Sequence, residues 1–195
     1  MTSANKRIGI IFHSGMGHTS YQAKAVRDGA KRVEGVNTEL IYVEDARERL
    51  DELSSMDAMI FGCPTYMGSV SAPFKQFMDD TGQIWLAQGW RDKIAGGFTN
   101  SGNQSGDKLN TLVQLNVFAM QHGMIWAGLG LPGGNNTSTG GAEELNRLGS
   151  WMGAMAQSNT DQGIEGIAES DLRTAACLGE RIARIALGWQ PPRNV

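Results

Sequence analysis

Apolar residues run unbroken at Ile8-Gly-Ile-Ile-Phe12, without the alternation of a half-exposed strand, which predicts a parallel strand covered on both faces. After Ser14-Gly-Met-Gly17 the period changes to that of a helix, with Ala23, Val26, Ala30 and Val33 on one face and charged residues mostly off it. Thr38–Val43 predicts a second strand, the stretch with Leu50 and Leu53 a helical turn, and Ala58–Phe61 a third strand stopped by Gly62-Cys-Pro64. A helix is expected from Pro73 through Phe74, Phe77 and Met78, because proline is tolerated in a first turn. Ile94–Phe98, about 107–121 and Met124–Ala127 then predict strand, helix and strand. Residues 131–165 are rich in Gly, Asn, Ser and Thr, with a short helical piece expected over 143–148. Connections of that length are commonly functional loops. A closing helix opens at Ser170, carrying Leu172, Ala175, Leu178, Ile182 and Ile185 on one broad face. Strand and helix alternate throughout, so the chain reads as one α/β domain over 1–195 with helices on both sides of a parallel sheet.

Charge narrows the partners. The net charge of −3 is spread without a basic stripe, so nucleic acid is not an expected partner. Cys63 and Cys177 form no Cys-x-x-Cys pair, which offers neither a disulfide framework nor a zinc site, and no metal is expected. The apolar pattern after Arg7 is too short for a signal segment or a membrane span, and the expected location is the cytoplasm.

Glycines gather where strands end. Ser14-Gly-Met-Gly-His-Thr-Ser20 joins the first strand to the first helix, where free backbone N–H groups favour an anion. No lysine follows as in a nucleoside-triphosphate loop, and the hydroxyl-rich lining suits a phosphate monoester. Two other readings stand beside this one. Gly15 and Gly17 could simply form a tight turn, or the near match to Gly-x-Gly-x-x-Gly/Ala, with Glu44 or Asp45 after the second strand, could mark a dinucleotide site. Loops Cys63-Pro-Thr-Tyr-Met-Gly-Ser-Val70 and Thr99-Asn-Ser-Gly-Asn-Gln-Ser-Gly106 also follow strand ends. Ligands of open parallel sheets sit outside those ends, so the three loops make one site for a planar ring joined to a phosphate, as in FMN.

On these loops, with Phe77-Met-Asp-Asp-Thr-Gly82 and the following Trp85, residues 7–130 resemble the flavodoxin superfamily. Within it the likeness is to NAD(P)H:quinone oxidoreductases of the tryptophan-repressor-binding-protein (WrbA) type and to NADPH-dependent FMN reductases. The resemblance implies a flavodoxin-like three-layer sandwich with a five-stranded parallel sheet of order 2-1-3-4-5. It also implies that Ser14, Met16, Gly17, His18 and Thr19 hold the FMN phosphate, that Pro64, Thr65, Tyr66, Met67 and Gly68 edge the ring, and that Thr99, Asn100, Ser101, Gly102, Asn103 and Ser105 close its other side. His122, in Gln121-His-Gly-Met124, matches a histidine region facing the flavin, and Trp85 an aromatic near the substrate, reached from a neighbouring subunit. A homo-oligomer, dimer or tetramer, follows. The chain departs from the pattern in lacking an insertion after the second strand, and in having Met16 where an aromatic is common.

The implied activity is two-electron transfer from NADPH or NADH through FMN to a quinone or flavin acceptor. The bland readings are that His13 and His18 are structural, that Trp85 and Trp90 pack over the third helix, and that Cys63, at the rim without a basic neighbour, is no thiolate. An electron-transfer flavodoxin is the rival, and it would steer partners with a charged rim. Residues 62–70 and 97–106 carry no acid. A non-catalytic FMN-binding regulatory module is the third reading.

Overall fold

A computed structural model describes residues 5–192. The strands are β1 (Lys6–Phe12), β2 (Val36–Tyr42), β3 (Ala58–Tyr66), β4 (Ser69–Val70), β5 (Ile94–Ser101), β6 (Ile125–Trp126) and β7 (Ala154–Gln157). The helices are α1 (His18–Ala30), α2 (Val43–Glu48), α3 (Leu50–Leu53), α4 (Ala72–Asp80), α5 (Gly82–Leu86), α6 (Lys108–Gln121) and α7 (Glu169–Gly188), with a 3₁₀ turn at Ile164–Gly166.

The sheet runs β2-β1-β3-β5-β6 in parallel, with β4 turned back on β3 and β7 lying along β5. Its unbroken apolar runs are buried on both faces because neighbouring residues alternate sides. Ile8, Ile10, Ala58, Ile60 and Phe98 pack against α1 and α7. Ile11, Met59, Phe61 and Ala95 pack against Phe74 and Phe77 of α4 and Leu112, Leu115 and Phe118 of α6. This is the three-layer flavodoxin-like arrangement.

The strand count differs from five, for two reasons. The fifth strand is broken: β6 pairs Ile94 and Ala95, the chain leaves at Ala127, and it returns as β7 alongside Phe98–Ser101. The expected loop over 131–165 therefore contains a strand. The excursion is tied back by a buried ion pair, in which Arg147 Nε and Nη2 meet Asp171 of α7 at 2.8 and 2.7 Å. The helix expected over 143–148 does not form. Asn146 takes a left-handed φ of 51°, and its amide instead reaches backbone groups of Leu131, Pro132 and Ser150.

The other difference is β3, which continues past the expected stop at Gly62 to Tyr66 and folds back through Met67-Gly68 as a hairpin onto β4. Beyond the Phe12–Gly62 pair, β3 has a parallel neighbour on the β5 side only. A proline is tolerated there. Cys63 is consequently not at a rim but inside the core, and burial pushes its thiol up to about 12.

Candidate functional site

The carboxyl ends of β1, β3, β5 and β7 meet around a cleft of about 220 Å³. Its wall brings together Met16, His18 and Thr19 from the first loop, Pro64, Thr65 and Tyr66 from the second, and Asn100, Ser101 and Gly102 from the third. All nine were expected. Ser158 and Thr160, from the loop after β7, complete the wall and were not foreseen.

Local physics shapes each loop. Gly17 precedes α1 with φ 90°, a left-handed conformation that favours glycine even though a Cβ there would meet nothing within 4 Å. At Gly15 the constraint is space, because a Cβ would lie 2.5 Å from the Tyr66 hydroxyl, so the missing side chain lets the ring lie against the loop. Ser14 Oγ accepts the Ser20 N–H at 3.1 Å, which leaves its own proton free to donate. The first-turn amides of His18 and Thr19 have no intrahelical acceptor, as any helix start requires.

His18 does more than border the cleft. Its Nε2 lies 2.8 Å from the Gly163 carbonyl and 3.0 Å from that of Gln162, and since carbonyls only accept, this nitrogen carries the proton. The first loop is thereby latched to the loop carrying Ser158 and Thr160.

Behind the wall runs a buried chain of hydroxyls. Thr99 Oγ1 gives its proton to the Cys63 carbonyl at 2.7 Å, so it accepts from Thr65 at 2.9 Å, and Thr65 in turn accepts from Thr111 of α6 at 2.8 Å. Thr99 and Thr65 thus brace the second and third loops against each other. Lys108, fully buried at the start of α6, donates to Ser101 Oγ at 2.8 Å and to the Asn103 carbonyl at 2.6 Å. Burial pulls its ammonium down to about 8, partly opposed by Asp171 and reinforced by Arg147.

The remaining expected residues fall outside the cleft wall. Met67 and Gly68 form the hairpin turn, with φ of 50° and 76°, and Met67 stands fully exposed at its tip. Asn103 is an exposed loop residue, and Ser105 borders a larger open groove of about 1100 Å³ between α6 and Trp151.

Trp85 and His122 are not brought to this cleft at all. α6 runs back along β5, so His122 at its end lies beside the amino end of that strand, where Ile125 pairs with Ile94. Asn100 lies six steps along the strand from Ile94, a length of about 20 Å. There, with Met78, Thr81, Val117 and Phe118, the two residues line a separate cavity of about 430 Å³. Thr81 Oγ1 gives its proton to the Met78 carbonyl and so accepts from His122 Nε2 at 2.9 Å. The ring leans on Trp90 with centroids 4.4 Å apart, and burial lowers its pKa to about 4.

The sequence model of the NADPH-dependent FMN reductase family matches residues 26–133. The chain is 40% identical over 177 residues to Flavodoxin FldP of Pseudomonas aeruginosa, an alignment covering 90% of this chain and 94% of that one. It is 37% identical over 202 residues to an NAD(P)H dehydrogenase (quinone) of Archaeoglobus fulgidus, covering 92% and 97%. The chain belongs to the flavodoxin-like NADPH-dependent FMN reductase family. A flavodoxin, WrbA-like protein from Agrobacterium tumefaciens superposes with a TM-score of 0.73 at 35% identity, over 94% of this chain and 98% of that one. At 18% identity and a TM-score of 0.60, a Megasphaera elsdenii flavodoxin shares the fold.

Membership in this reductase family makes FMN the cofactor that the cleft has to fit, and one atom tests the fit directly. Asn100 is 4% exposed, lines the cleft, and keeps its Nδ2 buried without a partner. Such a donor is costly unless a ligand acceptor meets it. The residues fit the group: hydroxyls and free amides in the first loop suit a phosphate, and a residue of the wall holds a buried donor without a partner.

Proposed function

We propose that the protein is an FMN-dependent oxidoreductase that passes two electrons from NADPH or NADH to a quinone or flavin acceptor, both substrates using one open cleft in turn. The observation that carries this reading is the uncharged lining of the cleft. Ser14, Met16, Gly17, His18 and Thr19 would hold the phosphate, Pro64 to Gly68 one edge of the ring, and Thr99 to Asn103 with Ser105 the other. Bound there, FMN supplies the hydride chemistry itself, so the protein's task is to hold and orient it and to leave one ring face open. Met16 and Met67 are exposed near the cleft, an apolar approach suited to a flat, neutral acceptor.

Trp85, exposed at the far end of its own sheet, belongs to this reading only across a subunit boundary, and a homo-oligomer, dimer or tetramer, would supply it; His122, 2% exposed and bonded to Thr81, has a scaffold role instead. Support comes from α6, where Leu109, Val113, Val117 and Met120 are exposed and no residue after Lys108 is charged. Free Cys63 and Cys177 fit the cytoplasm. Among the described residues no helix is long and apolar enough to cross a membrane.

The likeness to Flavodoxin FldP favours a second reading, an electron carrier without nicotinamide turnover. An anaerobic titration separates the two. Flavin that bleaches with NADPH or NADH and recovers with benzoquinone is expected. Bound flavin that neither nucleotide reduces would identify the carrier, and absence of flavin binding would overturn the site.

A further inference from the structure

Asn100 is held on both sides by backbone: its strand pairs with β3 at Pro64 and with β7 at Ala156. Its side chain ends in two atoms of opposite character, an acceptor Oδ1 and a donor Nδ2. Which one meets a ligand depends on what occupies the other. Ser158, 3% exposed, donates its hydroxyl to Oδ1 at 2.8 Å and leaves Nδ2 unpaired.

Ser158 is not a free loop residue. Its N–H donates to the Ser101 carbonyl at 3.1 Å, and it forms an antiparallel bridge with Ile167. The hydroxyl therefore sits at a fixed point between the end of β5 and the chain leading into α7, shielded from water that could compete for Oδ1.

We infer that Ser158 is a positioning residue which, by occupying Oδ1, commits the Asn100 amide to present its N–H donor at the cleft wall, so that the cleft selects a ring edge bearing acceptors that gain negative charge on reduction. The inference rests on the FMN reading and deepens it. A fixed donor binds such an edge more tightly after charge has developed than before, so it favours the reduced cofactor and raises its midpoint potential. The broken fifth strand acquires a role here, because β7 is what carries Ser158 to Asn100.

The test compares holoproteins: wild type, Ser158→Ala, Ser158→Thr and Asn100→Asp, each measured for FMN affinity by fluorescence quenching and for two-electron potential by redox titration. Ser158→Ala is expected to bind oxidised FMN several-fold more weakly. It should lose about tenfold more affinity for the reduced form, a potential lower by about 30 mV for a two-electron couple. Ser158→Thr, which keeps the hydroxyl, should retain the wild-type potential. Asn100→Asp, which replaces the donor by a carboxylate of similar shape, should lower the potential further than Ser158→Ala.

If wild type binds and reduces FMN normally but Ser158→Ala and Asn100→Asp keep its potential, the inference fails alone and Ser158 is a packing residue. Should Ser158→Ala not fold, Asn100→Asp still decides the role of the donor and Ser158→Thr that of the hydroxyl. If wild type binds no FMN, the FMN reading fails, and this inference with it.

Discussion

The two ends of the sheet are built from different physics. At the carboxyl end, buried polar atoms are braced by one another, as in the hydroxyl chain from Thr111 through Thr65 and Thr99 to the Cys63 carbonyl, while Asn100 Nδ2 waits for a partner. Toward the amino end, Phe61, Phe77, Trp90, Phe118 and His122 pack ring against ring, with centroids 4.4 to 6.4 Å apart. The first arrangement fixes polar groups beside the cleft, and the second contributes apolar burial. A parallel sheet separates them because every strand delivers its loops to the same end. Substitutions at one end should therefore change cofactor affinity with little loss of stability, and those at the other the reverse.

Trp90→Ala is expected to give the largest effect. It removes a fully buried ring from the aromatic cluster and should destabilise the fold by about 3–5 kcal/mol, while the folded fraction keeps its FMN affinity. Chemical denaturation with parallel flavin titration checks both parts. A large loss of affinity in the folded fraction would break the separation between the two ends.

His122 gives the next effect. Its folded pKa of about 4 lies below the ordinary 6.5, so the unfolded chain takes up the proton first as pH falls. Stability from this group is fully present above pH 6.5 and is lost between 6.5 and 4, on the order of 3 kcal/mol in all. His122→Gln should show a shallower loss across that window in melting curves. Identical slopes would mean that the ring is not held neutral.

At the polar end, His18→Ala cuts the latch to Gln162 and Gly163. FMN affinity should fall by about tenfold, near 1.4 kcal/mol, with a smaller change in melting temperature. A purely thermal effect would assign His18 to the scaffold. The smallest expected signal is at Cys63: with its thiol pushed up to about 12, it should resist alkylation at neutral pH in the folded protein, as peptide mapping would show.

The sequence made the core and the three glycine loops legible because both are local signals, a run of apolar residues and a turn after it. β7 was hidden: Ala154-Met-Ala-Gln157 has no β-branched residue and is recruited only by lying along β5. Glu143 to Leu148 carries helical spacing, but the amide of Asn146 finds four backbone partners in a turn instead. Ser158 and Thr111 act on residues 58 and 46 positions away in the chain, and no spacing rule points to them. Trp85 and His122 were expected near the flavin and the substrate, yet the direction of α6 puts both in a cavity at the opposite end of the sheet from their own cleft.

The central claim is the place of the cofactor, and a crystal structure of the FMN-loaded protein tests it most directly. The phosphate should lie within hydrogen-bonding distance of the Ser14–Thr19 loop, with the ring between Tyr66 and Gly102 and Asn100 Nδ2 donating to its edge. A phosphate bound away from that loop, or a ring that leaves Asn100 Nδ2 unpaired, would contradict the account.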